Sequence, residues 1–284
     1  MKTLQLNRGR ESSLLRHHPW IFSGAVKRIE EHVQPGETIR VTDIGGNFLA
    51  LAAYSPSSQI RARAWTFKAD ESVDEAFFER RLQQSISRRQ RYSADPERTG
   101  YRLVYGESDG LPGLIVDRYG DYLICQFLFT GVELWKQTIV AALAKLQPCK
   151  GIYERSDVTI RAREGLPQSA GVLWGEQVPA LLEINEQGRR YAVNTQSGHK
   201  TGFYLDQFDN REIVRHLAVG RKVLNCFSYT GGFGIAALQG GASHVLNVDS
   251  SAPALELAAE NFKRNGFDAA QFENVVANVF ELLR

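Results

Sequence analysis

The chain has 284 residues, 43% hydrophobic and 23% charged, a composition that excludes a disordered or fibrous protein and leaves room for two or three domains with cores of their own. Its net charge of +2 is too small to mark a nucleic-acid binder, yet residues 1–66 carry nine Lys/Arg against five Asp/Glu, so the positive excess sits at the N-terminal end. Three cysteines (Cys125, Cys149, Cys226) without C-x-x-C spacing argue against a disulfide framework and a zinc site; no charged-then-apolar leader and no bilayer-length apolar run are present, so a soluble protein of a reducing cytoplasm is expected.

Residues 1–67 read as a small β-rich domain. Thr38 to Thr42 alternates, Asp43 to Asn47 turns, Phe48 to Tyr54 returns, and Ile60 to Thr66 alternates again with Arg61 and Arg63 on one face. With Arg16, His17, His18, Lys27 and Arg28, and with Trp20 and Phe22 as stacking partners, these arginines make a candidate phosphate-reading surface; a solvated basic face over core aromatics is the equal alternative.

After a linker at Lys68 to Asp74, Ser72 and Glu75 predict a capping box for a helix running to about Tyr92. Its terminal arginines (Arg80, Arg81, Arg88, Arg89, Arg91) complement the helix dipole and read first as structural. The segment 74–180 then gives strands at Tyr101 to Tyr105, Leu114 to Val116, Tyr122 to Phe129 and Gly151 to Glu154, with a helix at Val132 to Gln147, a second α/β domain. Asp109, Asp117 and Asp157 sit in turns as local caps and are assigned no chemistry.

The segment 181–284 opens with a hairpin, Leu181 to Asn185 and Arg190 to Asn194, and a polar, glycine-containing stretch leading into a helix from about Asp206 to Leu217. It then reads KVLNCFSYTGGFGIAALQGGASHVLNVD from Lys222 to Asp249: strand, glycine- and hydroxyl-rich turn, helix Gly232 to Gln239, and a second strand closed by an acid. A ligand approaching bare backbone needs glycines, and an acid at the end of the second strand can accept from a ribose diol. Gly232, Gly234 and Ala237 satisfy G-x-G-x-x-[GA], which raises NAD, but Phe227, Ser228, Tyr229 and Thr230 intervene between strand and glycines. A longer hydroxyl-bearing loop suits a ligand with an amino-acid end, which points to S-adenosylmethionine; a plain strand-turn-helix with capping glycines is the bland alternative. A helix after Ser250-Ser251 and a third strand near Gln271 to Val276 follow, and the first strand is expected at the sheet edge. On that ground the chain is expected to be incomplete at its C-terminal end.

Several phrases resemble one family. RHHPWIFSGAV at Arg16 to Val26 looks like the opening of a PUA domain, ESDGLPGLIVDRYGD and YERSDVTIRAREGL look like the central region, and GHKTGFYLDQ leads into a Rossmann-like class I methyltransferase domain. The chain is thus identified as resembling the RNA methyltransferases that modify C5 of cytosine in large-subunit ribosomal RNA. The resemblance implies a multi-domain α/β chain: a PUA-like RNA-binding domain at 1–67, a central domain at 74–180, and at 181–284 a hairpin linker with the first half of the methyltransferase domain. It implies S-adenosylmethionine as cofactor and large-subunit ribosomal RNA as partner. Cofactor contacts are expected at Asn225, Phe227, Ser228, Tyr229, Thr230, Gly231, Gly232, Phe233 and Asp249, with Lys200, Thr201 and Gln207 lying over it. Asn278 holds the place of an adenine-accepting aspartate. The family usually follows Asp-Gln with Arg, where this chain has Phe208, so that contact is lost or passes to Arg211.

In such enzymes a cysteine thiolate adds to C6 to make C5 nucleophilic. The family's D-P-P and cysteine-bearing motifs are absent from these residues, and Cys125, Cys149 and Cys226 do not read as the nucleophile. No catalytic residue is assigned, and the chain as it stands is expected not to methylate RNA. A noncatalytic RNA-binding protein with a cofactor-like fold is the alternative from another class.

Overall fold

The computed structural model describes residues 1–284, which divide into two compact units: residues 1–91 with 102–178, and residues 92–101 with 179–284. No helix is long and apolar enough to cross a membrane.

The first unit contains two sheets. The six-stranded sheet runs in the order Trp20–Phe22, Ile60–Thr66, Phe48–Tyr54, Thr38–Thr42, Thr3–Leu6, Val26–Ile29, with the Thr3–Leu6 and Thr38–Thr42 pair parallel. The three expected strands are present, and their inward positions Ile39, Val41, Ala50, Ala52 and Ala62 are buried with Leu4. The three flanking strands were not foreseen, being too short to show alternation. The second sheet has the order Ser169–Gly175, Gly151–Ser156, Tyr122–Phe127, Leu114–Tyr119, Gly100–Tyr105.

The helix after the linker is Glu75–Arg88, and its cap is Asp74, whose carboxylate accepts from Phe77 N–H at 2.8 Å. Ser72 is therefore not the cap. The expected helix from Val132 to Gln147 is two helices, Thr130–Leu134 and Lys136–Leu146, meeting at Trp135. Arginines on and just after this helix make ion pairs: Arg80 and Arg81 meet Glu71, while Arg88 and Arg89 meet Asp109. Asp109, Asp117 and Asp157 act as ion-pair acceptors for Arg89, Arg102 and Arg155, which goes beyond local capping.

Residues 1–67 and most of the 74–180 segment fall in the first unit, while 92–101 and 179–180 fall in the second. Thr130 Oγ1 donates to the Tyr54 carbonyl at 2.8 Å, and a Cβ on Gly131 would lie 2.6 Å from that of Ala53, so the helix Thr130–Leu134 meets the strand Phe48–Tyr54 at a point only glycine permits. A buried carboxylate completes the join. Glu164 accepts from Ser55 Oγ (2.6 Å), Ser58 Oγ (2.8 Å) and both terminal nitrogens of Arg63 (3.1 and 2.7 Å). Burial raises the Glu164 pKa, but Arg63 and the two hydroxyls outweigh it and hold the group below its ordinary value.

In the second unit the hairpin is Leu181–Glu186 and Arg189–Asn194, turning on Gln187 (φ 52°) and Gly188 (φ 78°), the two left-handed residues a two-residue hairpin requires. The three-stranded parallel sheet has the order Lys222–Cys226, His244–Asp249, Phe272–Val276, which puts the first strand at the edge as expected. Asparagines in register cross it: Asn225 Nδ2 donates to Asn247 Oδ1 and Asn247 Nδ2 to Asn274 Oδ1, both at 2.9 Å. A slip of one residue would leave these buried amides unpaired, so the ladder fixes the register. Helix Gly232–Gln239 has the expected bounds, and helix Ala252–Arg264 is capped by Ser251. Asn261, fully buried on that helix, accepts from Ala192 N–H at 2.7 Å and donates to the Thr230 carbonyl at 3.4 Å, tying hairpin, helix and loop together.

Candidate functional site

The strand Lys222–Cys226 delivers the chain into a loop with left-handed backbone at Phe227 (φ 55°), Tyr229 (φ 47°) and Gly231 (φ 80°). For bulky residues this conformation costs roughly 1–3 kcal/mol each and persists only where surroundings over-determine it. The restraints on Tyr229 are plain. Its N–H donates to Asp249 Oδ2 at 2.8 Å, its hydroxyl donates to the Gly202 carbonyl at 3.1 Å, and that hydroxyl accepts from His199 N–H at 2.8 Å. The His199 ring stacks on Tyr229 at 4.6 Å and 9°, and Tyr204 meets Tyr229 edge-on at 5.5 Å. A Cβ on Gly231 would lie 2.8 Å from Phe262 Cε2, so a glycine is required there by packing as well as by its φ.

A pocket of about 440 Å³ opens over this loop. Phe227, Ser228, Tyr229, Thr230, Gly232 and Phe233 line it together with Asp249 and Ser250 from the end of the neighbouring strand. His199, Phe203, Tyr204, Gln207 and Arg211 complete the lining. Asp249 is held for acceptance: Oδ2 takes Tyr229 N–H and Oδ1 takes Ser251 N–H at 2.9 Å, leaving each oxygen a lone pair for a ligand hydroxyl. Ser228 and Thr230 are 6% and 3% exposed, and their hydroxyls have no hydrogen-bond partner. An enclosed polar atom left unpaired costs about 1–3 kcal/mol, so two such atoms on one pocket mark where a polar ligand group fits. Burial, and then the charges of Asp206 and Asp249, push the Tyr204 hydroxyl above its ordinary pKa, which keeps it protonated.

Arg211 lines the pocket but is committed elsewhere. Its Nε donates to Glu186 Oε1 at 2.7 Å, its other bonds reach Glu186 Oε2 and the Tyr204 carbonyl (3.0 Å), and its guanidinium lies 4.8 Å over Phe203. It holds the aromatic wall, so it does not stand free as a substitute for an arginine at 208.

Of the expected cofactor residues, Phe227, Ser228, Tyr229, Thr230, Gly232, Phe233, Asp249 and Gln207 come together at the pocket. Five do not. Asn225 is turned into the asparagine ladder, and Gly231 shapes the loop without lining the cavity. Lys200 pairs with Asp206 at 3.2 Å, and Thr201 is fully buried outside the lining. Asn278 caps the last helix, its Oδ1 accepting from Phe280 N–H at 3.0 Å. The stretch around Lys200 is a structural elbow: a Cβ on Gly198 would lie 2.3 Å from the Asn194 carbonyl oxygen, and one on Gly202 2.7 Å from Val193 Cγ1. Sequence reasoning missed His199, Phe203, Tyr204 and Ser250; the signal for the first three was the aromatic density of HKTGFY, which ends two residues before Asp206.

On the first unit, Arg16, Lys27 and Arg28 are exposed, and Arg61 is half-buried with its guanidinium on the Pro56 carbonyl. Arg63 is a correction. It is 8% exposed and locked on Glu164, with its guanidinium 4.7 Å over Phe129, so it faces the interior. None of the three thiols lines the pocket. Burial, and then Asp117 and Glu154, push Cys125 well above its ordinary pKa, and burial raises Cys149.

A PUA-like domain family matches residues 4–67, and an S-adenosylmethionine-dependent methyltransferase family matches residues 148–283. Ribosomal RNA large subunit methyltransferase I of Yersinia pseudotuberculosis is 52% identical over 281 residues, covering 99% of this chain and 71% of the relative; the Yersinia pestis protein of that name matches equally. Among solved structures, a putative SAM-dependent methyltransferase from Streptococcus mutans superimposes with a TM-score of 0.87 at 27% identity, over 99% of this chain and 72% of that one. A putative methyltransferase solved in complex with SAH gives the same score at 26% identity, over 99% of this chain and 71% of its own.

Proposed function

Because the chain belongs to the ribosomal RNA large subunit methyltransferase I family, we propose that it takes part in methylating C5 of a cytosine in large-subunit ribosomal RNA, in the cytoplasm. It is a class I S-adenosylmethionine-dependent RNA methyltransferase by that membership. The observation that carries the site assignment is Asp249, fixed by two backbone N–H donors at the rim of a pocket that also holds two unpartnered hydroxyls.

The residues fit the cofactor. Asp249 would accept from the ribose diol, and Ser228 and Thr230 would bond the amino-acid end. The cofactor, when bound, supplies the methyl group. Tyr229 and His199 hold the loop against the Gly202 carbonyl, which fixes the wall of the pocket. Thermal shifts separate this cofactor from NAD: stabilisation by S-adenosylmethionine and none by NAD is expected, and a shift with NAD alone refutes the assignment.

The RNA is read as held in part by Arg16, Lys27 and Arg28, exposed on the PUA-like domain, and by Arg61 on another strand of its sheet. Covalent activation of cytosine needs a thiolate, and we assign that role to none of Cys125, Cys149 and Cys226. The position of the methyl group is tested in cells. Deleting the gene and analysing large-subunit RNA by nucleoside mass spectrometry should show loss of one 5-methylcytosine, and an unchanged 5-methylcytosine content overturns the assignment.

A further inference from the structure

Arg98 stands apart from the buried arginines of its unit. Arg189 pairs with Glu186 and Glu212, and Arg211 with Glu186. Arg98 has no carboxylate. Its guanidinium carbon lies 4.0 Å from the ring centroid of Tyr92 and 4.0 Å from that of Phe208, a planar cation held between two aromatic rings. Its Nε is enclosed without an acceptor, and no hydrogen bond or ion pair ties down its terminal nitrogens.

The backbone beneath is strapped in place. Arg98 N–H donates to the Asp95 carbonyl at 3.1 Å, Thr99 N–H to the Asn185 carbonyl at 3.0 Å, and Gln187 N–H to the Glu97 carbonyl at 2.7 Å. A positive group taken partly out of water without a counter-charge is costly, and the cost is offset when an anion arrives. Stacking also fixes the side-chain rotamer in advance, so a planar N–H fork is presented with little further entropy lost; that fork suits phosphate. The position is apt, since Phe208 directly follows Gln207, which lines the cofactor pocket, and begins the helix that carries Arg211 to the same pocket.

We propose that Arg98, set between Tyr92 and Phe208, is an RNA-phosphate contact of the cofactor-binding unit. The proposal rests on the ribosomal-RNA reading above. It also gives Phe208 a role, as one of the two rings that set Arg98.

The test is binding of a large-subunit ribosomal RNA fragment to the 284-residue protein over a series of KCl concentrations, with melting temperature and S-adenosylmethionine titration on the same samples. Arg98→Gln should weaken RNA binding about five- to tenfold and flatten the log–log salt slope by about one. Its cofactor affinity should be unchanged. Arg98→Lys should keep the slope and lose part of the affinity, since it retains charge without the stacked fork. Phe208→Leu should fall between wild type and Arg98→Gln in RNA affinity, which keeps the test decisive if Arg98→Gln folds poorly. An unchanged RNA affinity and slope in Arg98→Gln, with a lowered melting temperature, would show a strut and overturn the proposal. Failure of the wild-type protein to bind RNA at all would instead overturn the ribosomal-RNA reading on which it rests.

Discussion

The Glu164 cluster of the first unit and the Phe227–Gly231 loop of the second treat buried polar groups in opposite ways. Around Glu164 each carboxylate oxygen is met by a serine hydroxyl and a guanidinium nitrogen. In the loop, two hydroxyls just as deeply enclosed have no partner, and two aromatic residues adopt left-handed backbone. The difference teaches how burial is used: the first cluster satisfies itself and ties a strand of the first sheet to the end of a short helix, whereas the second leaves acceptors and donors open on the pocket proposed above for the cofactor.

The sharpest way to break the comparison is to remove one partner at each place. Arg63→Ala leaves Glu164 buried and uncompensated and should cost about 3–5 kcal/mol in chemical denaturation, without changing the RNA salt slope of the folded protein. A loss below about 1 kcal/mol would show that the cluster is not a joint. Asp249→Ala should weaken S-adenosylmethionine binding by at least tenfold in calorimetric titration, because hydrogen bonds to a charged acceptor contribute about 1.5–3 kcal/mol each. Thr230→Val removes a hydroxyl that bonds nothing in the free protein, so its stability without ligand should hold or rise, while the thermal shift given by the cofactor should shrink.

The smallest effect expected is on pH. The Glu164 pKa is depressed by its partners, so the stability it contributes is present above its ordinary value of 4.5 and is lost as pH falls through the lower folded value. Wild type should therefore lose stability below about pH 4.5 more steeply than Glu164→Gln. Parallel acid titrations of the two would refute the ion pair's contribution.

Much of the site was legible because its demands are local. Glycines around Gly232–Gln239 and the acid closing His244–Asp249 are set by the backbone within a few residues, and both lie where the sequence puts them. Arg61 and Arg63 show where legibility ends. Alternation puts both on one face of Ile60–Thr66, but no local pattern tells that Glu164, a hundred residues on, covers that face and takes Arg63 inward. Asn225 and Asn278 carry structural bonds that the sequence did not show. Each has the right chemistry for a ligand, but a neighbouring strand or the first turn of a helix uses it first. The strand Ser169–Gly175 was invisible because it is a half-exposed edge containing two glycines.

The central proposal is that the Tyr229–Asp249 pocket holds S-adenosylmethionine, and a crystal structure of the protein with that cofactor tests it most directly. The account predicts both ribose hydroxyls on Asp249 and the hydroxyls of Ser228 and Thr230 bonded to the ligand, with Tyr229 unmoved against His199. A cofactor bound elsewhere, or in this pocket with both hydroxyls still unpaired, would contradict it.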